Sequence, residues 1–349
     1  MNIAASYQPQ WVREDFVDFV LEKVNPIWSW KKVKAQVIDV QPLSDDFFQI
    51  KLLPNAHFDF KNVQAGQSVL VTVVIDGVRQ QRSYSIIKID EKSGIYLGVK
   101  VQGMVSSQMS RLQAGDIIEI SQAQGDFILS KEIEKTQPLL LIASGSGITA
   151  IYALLDSAIA QGYQHIHVLY FSRDQALVDD IHQLIAAQKA KSEHHQIHFY
   201  HINTKEKSQH FTTELLTELN IDFKQMKTYV CGAHNMMQAV QEMYRQHDLT
   251  EQLHMEYFQS VIDESLAAQP IRFLRAQQEF QADRNLLESA EQAGLRPAHG
   301  CRMGICNTCT CTKVSGSTKN ILTGEIDHSN NTQIKLCISQ AVSPVVINL

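Results

Sequence analysis

Four cysteines close to the end of the sequence constrain this chain more than any other feature. Cys301, Cys306 and Cys309 are spaced C-x4-C-x2-C, and Cys337 follows after a gap of 27 residues. That spacing suits four thiolates wrapped around a [2Fe–2S] rhomb. The surrounding text, G-C-R-M-G-I-C-N-T-C-T-C, supplies Gly300 and Gly304, where backbone can approach an inorganic core and turn sharply. A four-cysteine zinc site is the competing reading. Zinc knuckles favour paired C-x2-C units, however, and one such unit is present here. Cys311 is one cysteine too many for the cluster and is expected to be a buried neighbour. One-electron chemistry is the first expectation.

At 349 residues the chain has room for two or three domains, taking about 100 to 200 residues for each. Apolar content of 44% is that of a globular protein, and no run approaches the roughly 20 apolar residues of a membrane span. The opening M-N-I-A-A-S-Y-Q-P-Q has neither a basic nor an apolar region, so no export signal is predicted. Five of the six cysteines fall between 301 and 337, which suits metal ligation in a reducing cytoplasm. Net charge is -6 with no basic patch, which argues against a nucleic-acid partner.

Residues 11–27 place Val12, Phe16, Phe19, Val20 and Val24 at helical spacing, with Arg13, Glu14, Asp15, Asp18 and Glu22 opposite. Membrane-seeking helices are usually basic, so this acidic one is expected to pack its apolar face on its own protein. A docking role is kept open by Trp28-Ser29-Trp30 and the lysines after it. From Val33 to about Ile128, six short β-like runs separated by turns such as Asp76-Gly77 predict an antiparallel barrel. Beyond Pro138 the runs L-L-L-I-A, H-I-H-V-L-Y-F, Q-I-H-F-Y-H-I and T-Y-V-C alternate with helical stretches, which predicts a doubly wound parallel sheet. After Pro270 a hairpin, then a helix ended by Gly294, precede the cysteine loop.

Arg82-Ser83-Tyr84-Ser85 opens a barrel strand. An arginine can clamp a flavin phosphate, a tyrosine can lie along the ring, and the Ser85 hydroxyl can reach flavin N5. Gly103, Val105 and Ser106 offer a second backbone and hydroxyl site for a pyrophosphate. Gly145-Ser146-Gly147-Ile148-Thr149-Ala150 reads G-x-G-x-x-A between a buried strand and a helix, the context of a dinucleotide pyrophosphate turn. At the end of the next strand stands Ser172-Arg173 instead of a ribose-binding carboxylate, which favours NADPH over NADH. The neighbouring Asp174 could still serve a ribose. Cys231-Gly232 would let a nicotinamide ring lie against the flavin. Phe258 is either an interdomain core aromatic or the ring that covers the flavin.

Together, and in this order, R-S-Y-S, G-S-G-I-T, C-G, E-Y-F and the cysteine loop resemble the ferredoxin–NADP reductase superfamily with a plant-type ferredoxin domain fused behind it. The resemblance runs from about residue 33 onward. It implies an N-terminal helical extension over 1–32, a flavin-binding barrel over 33–132, a nucleotide-binding α/β domain over 133–262, and a β-grasp ferredoxin domain over 268–349. It further implies an oxidoreductase that draws on NADPH, binds FAD in preference to FMN, and feeds electrons through the cluster to a metal-containing partner. Ser85, Cys231 and Phe258 would then stand at the reacting rings. The wording of the cysteine loop, the later N-I-L-T-G and the N-terminal helix before the barrel look most like reductases of membrane-bound acyl desaturases, which would leave the protein cytoplasmic and peripheral to a membrane through its partner. An aromatic-ring dioxygenase or a hydroxylase is the alternative client. Two departures, Ala233 in place of the proline of C-G-P and Ala150 where proline is common, would instead suit a redox carrier with a degenerate nucleotide site.

Overall fold

The computed structural model describes residues 14–130, 133–190, 196–205, 210–258 and 262–349. Helix α1 (Glu14–Val24) leads into six strands, β1 (Val33–Ser44), β2 (Phe47–Pro54), β3 (Ser68–Ile75), β4 (Val78–Asp90), β5 (Gly94–Lys100) and β6 (Ile117–Ile120), with the short α2 (Met104–Met109) between the last two. They close into an antiparallel barrel in the order β1-β2-β5-β4-β3-β6. Alternate residues such as Val69, Val71 and Val73 point inward and are buried with Ile50, Leu52, Leu97 and Val99, as the two-residue period of a strand requires. The β3–β4 hairpin turns on Asp76 and Gly77, with φ of 50° and 76°, the left-handed pair that a two-residue turn selects.

The second unit alternates β7 (Leu139–Ser144), α3 (Ile148–Ala160), β8 (His165–Ser172), α4 (Val178–Lys189), β9 (Gln196–Asn203), α5 (Thr213–Glu218), β10 (Lys227–Cys231), α6 (His234–Gln246) and β11 (Leu253–Glu256). All five strands are parallel, in the order β11-β10-β7-β8-β9. The chain reverses its winding between β7 and β10, so the carboxyl ends of those two strands form the crevice where doubly wound sheets bind ligands. Strand β11 was not foreseen from the sequence: its four residues are too short a run to register as a strand.

The third unit is built from β12 (Gln269–Phe273), β13 (Gln278–Ala282), α7 (Leu286–Gln292), β14 (Thr310–Ser315), β15 (Thr318–Asn320), β16 (Ile326–Asp327), β17 (Thr332–Lys335), β18 (Ser339–Ala341) and β19 (Val345–Ile347). A mixed sheet β13-β12-β19-β14-β17 packs with α7 over one core, and β16-β15-β18 form a small second sheet. The Asn285 side chain caps α7 by accepting from Glu288 N–H, and Gly294, at φ 82°, ends it.

Helix α1 departs from expectation. Val12 lies outside the described residues, but Phe16, Phe19, Val20 and Val24 are 64, 56, 46 and 70% exposed. Asp18 is the buried residue: its carboxylate accepts from Trp30 N–H at 2.7 Å and pairs with Lys32 at 3.0 Å. Glu22 is drawn to Lys34 at 2.6 Å. Asp18 therefore packs on the protein with Val17 and Leu21 half-buried beside it, Glu22 stays 46% exposed, and the arc of Phe16, Phe19, Val20 and Val24 looks outward.

In the third unit Lys313 is fully buried, with its ammonium 2.9 Å from Asp327 Oδ2 and donating to Asp327 O. The Thr332 hydroxyl and Lys313 hold the Asp327 carboxyl below its ordinary range. Removing the carboxylate strands a buried cation, although the partial exposure of Asp327 reduces the effect. Asp327→Ala is expected to destabilise this unit by about 2 kcal/mol, whereas Lys313→Met should be nearly neutral. Urea unfolding followed through the [2Fe–2S] absorbance checks both.

Candidate functional site

The three units meet at one open cleft. Its walls are Arg82, Ser83, Tyr84 and Ser85 of β4, residues 102–106 around the start of α2, Ser146 and Thr149 of the β7–α3 turn, Phe258, and Met303 from the cysteine loop. Strand β4 lies between β3 and β5, and all four residues of R-S-Y-S reach the cleft.

Ser85 is 2% exposed and its Oγ has no hydrogen-bond partner among the described residues. Such an orphaned hydroxyl fits a cradle completed by a polar ring atom. Arg82 donates to Gln81 O at 2.7 Å, and among the described residues no carboxylate pairs with it. Burial and then the neighbouring Arg302 guanidinium push its pKa down, the condition in which a phosphate would be most welcome. Burial raises the Tyr84 phenol, which packs against the barrel core. The Ser83 hydroxyl already donates to Ser68 Oγ at 2.7 Å. Ser106 is likewise committed: it accepts from Gln102 and Gly103 N–H at 2.9 and 3.0 Å and donates to Gly103 O. Its hydroxyl shapes the turn, with Gly103 and Val105 beside it, and is not left over for a pyrophosphate.

Gly145 has φ 51°, and a Cβ on Gly147 would stand 2.1 Å from Cys231 O. Only bare backbone lets this turn pass the end of β10. Ile148 is fully buried, so it can offer a ligand only its backbone. Thr149 Oγ1 donates to Ser146 O at 3.0 Å, and Ser144 Oγ accepts from Ala233 N–H at 2.6 Å, which fixes Gly232 beside the turn. At the end of β8, Ser172 Oγ lies 2.9 Å from His201 Nε2 and Arg173 is exposed. Asp174 is engaged elsewhere: its carboxylate meets Lys100 of the barrel at 2.8 Å. The alternative that Asp174 serves a ribose therefore loses its free group.

Cys231 is fully buried, and burial followed by the Glu256 carboxyl raises its thiol pKa. Glu256 pairs with it in register across β10 and β11. Burial pushes Glu256 up to about 8, and its Oε2 has no hydrogen-bond partner among the described residues. Sequence reading weighed E-Y-F only for Phe258 and missed this carboxyl, whose signal was a charged residue closing an apolar strand. Met303 was missed too, because nothing in a cysteine spacing says which loop residue turns toward the flavin side.

The four cysteines stand together as two pairs. Cys301 N–H donates to Cys306 Sγ at 3.3 Å, and the Cys309 and Cys337 sulfurs lie 3.2 Å apart. Two thiols for each of two irons is the ligand set of a [2Fe–2S] rhomb. The Cys301 sulfur accepts N–H groups of Met303, Ile305 and Cys306 at 3.3 to 3.4 Å. Each close pair splits its titration: the contact that lowers Cys306 raises Cys301, and the one that lowers Cys309 raises Cys337. Arg302, at φ 62°, is anchored by Glu291. A Cβ on Gly304, at φ 78°, would strike Ile338 at 2.7 Å. Cys311 lies apart in β14, and burial raises its thiol to about 12.

Two outcomes follow from this geometry. Cys309→Ser should lose most of its iron and acid-labile sulfide, and Cys311→Ser should keep about two of each per chain; metal and sulfide assays decide. Glu256 holds its proton in the fold well above the pH at which an unfolded glutamate loses it, about 4.3. Folding stability should therefore fall as pH rises from about 4.5 to about 8. In Glu256→Gln that slope should flatten, read as melting temperature against pH.

Models of three domains match the chain in sequence: an oxidoreductase FAD-binding domain over residues 34–128, an oxidoreductase NAD-binding domain over 141–242, and a 2Fe-2S iron-sulfur cluster binding domain over 273–341. An NADPH oxidoreductase of Mycobacterium tuberculosis is 24% identical across 95% of this chain and 88% of its own length. Phthalate dioxygenase reductase of Burkholderia cepacia is 23% identical across 90% of this chain and 96% of its own. A solved structure of phthalate dioxygenase reductase superposes with a TM-score of 0.61 at 22% identity, covering 90% of this chain and 97% of that one. The chain thus joins FAD-binding and NAD-binding domains of the ferredoxin–NADP reductase type to a C-terminal [2Fe–2S] domain, and is an oxidoreductase that works with FAD, NAD(P)H and that cluster.

Proposed function

We propose that this protein takes electrons from NADPH and delivers them, through FAD and the [2Fe–2S] cluster, to a separate oxygenase. The observation that carries the reading is the shared cleft, where the R-S-Y-S strand, the nucleotide turn and the cysteine loop all face one space. A flavin converts a two-electron hydride into single electrons that a [2Fe–2S] cluster can carry. The chain's own residues supply binding and orientation. Arg82 would take the flavin phosphate and Ser85 the polar edge of its ring, with Tyr84 and Phe258 against the ring faces. Backbone N–H groups of Gly145–Thr149 would hold the nucleotide pyrophosphate at the start of α3. Cys231 and Gly232 leave room for the nicotinamide, and buried Glu256 holds a proton beside them. Cys301, Cys306, Cys309 and Cys337 would hold the irons.

NADPH is favoured over NADH because Arg173 is exposed at the end of β8 while Asp174 is held by Lys100. The name of the mycobacterial relative agrees. For the client, the name of phthalate dioxygenase reductase supports an oxygenase component. The acyl-desaturase reading rests on the wording of the cysteine loop, the later N-I-L-T-G and the helix before the barrel, and is the weaker of the two. Six free cysteines suit a reducing cytoplasm.

Arg173→Ala should cost about ten- to a hundredfold in kcat/KM for NADPH, as expected for a lost charge-assisted contact, and leave NADH almost unchanged. Both are measured with an artificial one-electron acceptor. A wild-type preference for NADH would reject the assignment. For the client, reduction by this protein of a purified ring-hydroxylating oxygenase is compared with that of a membrane desaturase. Faster transfer to the desaturase would reverse the ranking.

A further inference from the structure

We propose that Lys335 is a positioning residue for electron uptake: its ammonium, relayed through the Gly304–Ile305 peptide to the Cys301 sulfur, stabilises the reduced cluster. The inference rests on the proposed ligand set of Cys301, Cys306, Cys309 and Cys337. Lys335 lies in β17, where it pairs in antiparallel register with Thr310 of β14. The next residue, Leu336, donates its N–H to Cys309 O at 3.2 Å, and Cys337 follows. The Lys335 backbone is thus locked between two ligand-bearing segments. Its side chain crosses to the third, where Nζ donates to Gly304 O in the loop between Cys301 and Cys306.

The other end of the same amide carries the inference. Gly304 C=O and Ile305 N–H belong to one planar peptide group, and that N–H donates to Cys301 Sγ at 3.3 Å. Ammonium, amide and sulfur therefore form a single chain. A cation at the carbonyl oxygen polarises the amide and strengthens the hydrogen bond at its nitrogen. Hydrogen bonds to the sulfurs and local charge are both levers on the potential of an iron–sulfur centre. Here they act in the same direction, because reduction adds an electron to a core that four thiolates already make negative. The described ion pairs Arg302–Glu291, Lys313–Asp327 and Lys319–Asp263 of this unit leave Lys335 out. Arg302, the other cation of the loop, is neutralised by Glu291, whereas Lys335 brings its charge to a carbonyl. Lys335 is also half-buried, so salt screens it less than a surface charge. A neutral amide side chain could pin the same carbonyl without the cost of drawing an ammonium out of water; the charge is what a simple loop pin does not need.

The test is the midpoint potential of the cluster in the full-length protein with its cofactors, followed by electron paramagnetic resonance of the reduced centre. In Lys335→Met the ratio of reduced to oxidised cluster at a fixed potential should fall by roughly three- to tenfold, which is about 30 to 60 mV for a one-electron couple. Lys335→Gln keeps a donor for Gly304 O without the charge, and its potential should fall in the same direction. Both variants should retain about two irons and two acid-labile sulfides per chain. A potential that stays at the unmodified value in both variants overturns the proposal and leaves Lys335 a loop pin. If Lys335→Met fails to hold iron, an unmoved potential in Lys335→Gln overturns it alone. Absence of a [2Fe–2S] signal from the unmodified protein would instead reject the ligand assignment beneath the proposal, so the two failures are told apart.

Discussion

The approach of bare backbone at the carboxyl end of β10 is the constraint on which the site depends. Gly147 leaves space for Cys231 O where a Cβ would sit 2.1 Å away. A side chain there would push the β7–α3 turn off the switch point and carry Thr149 with it. Thr149 is in turn pressed against the barrel, where a Cβ on Gly98 would lie 2.4 Å from its methyl carbon. Contact therefore runs from Cys231 through Gly147 and Thr149 to Gly98. It sets the nicotinamide side of the crevice against the flavin side without a separate hinge or linker.

Charge reinforces that contact. Lys100 of β5 reaches Asp174 beyond β8, with both side chains only 17% exposed. Such a half-buried pair loses more on opening than a surface pair would. At the other wall Arg82 faces Arg302 of the cysteine loop. Glu291 neutralises Arg302, so the remaining positive charge in that corner is Arg82. Gly300 supports the same geometry, with Gln81 Oε1 and Leu70 of the barrel within 3.3 Å of a Cβ there.

Much of this could be read from the sequence because local chemistry dictates it. Six alternating runs gave six barrel strands, and the cysteine spacing singled out the four thiols that the fold brings together as two close pairs. What stayed hidden depends on tertiary placement. Strand β11 is four residues long and becomes a strand only because β10 offers it an open parallel edge. Glu256 gains its high pKa from burial beside Cys231, which no composition reveals. The Ser106 hydroxyl looked available for a ligand until its own turn's N–H groups were seen to claim it. Met303 reaches the flavin cleft because Arg302 takes a left-handed backbone, anchored by Glu291.

Helix α1 shows most plainly where periodicity stops being informative. A period of 3.6 residues identifies a face, but not the medium that face meets. The acidic side was expected outside because carboxylates are costly to bury. That cost disappears when the partners are already in place: Asp18 receives Trp30 N–H and Lys32, and Glu22 receives Lys34. All three partners come from the segment Trp30–Lys34 that follows the helix, so the inversion is encoded locally, one turn of chain downstream. With Asp18 satisfied inside and Glu22 paired at the surface, Phe16, Phe19, Val20 and Val24 are left on the outer arc.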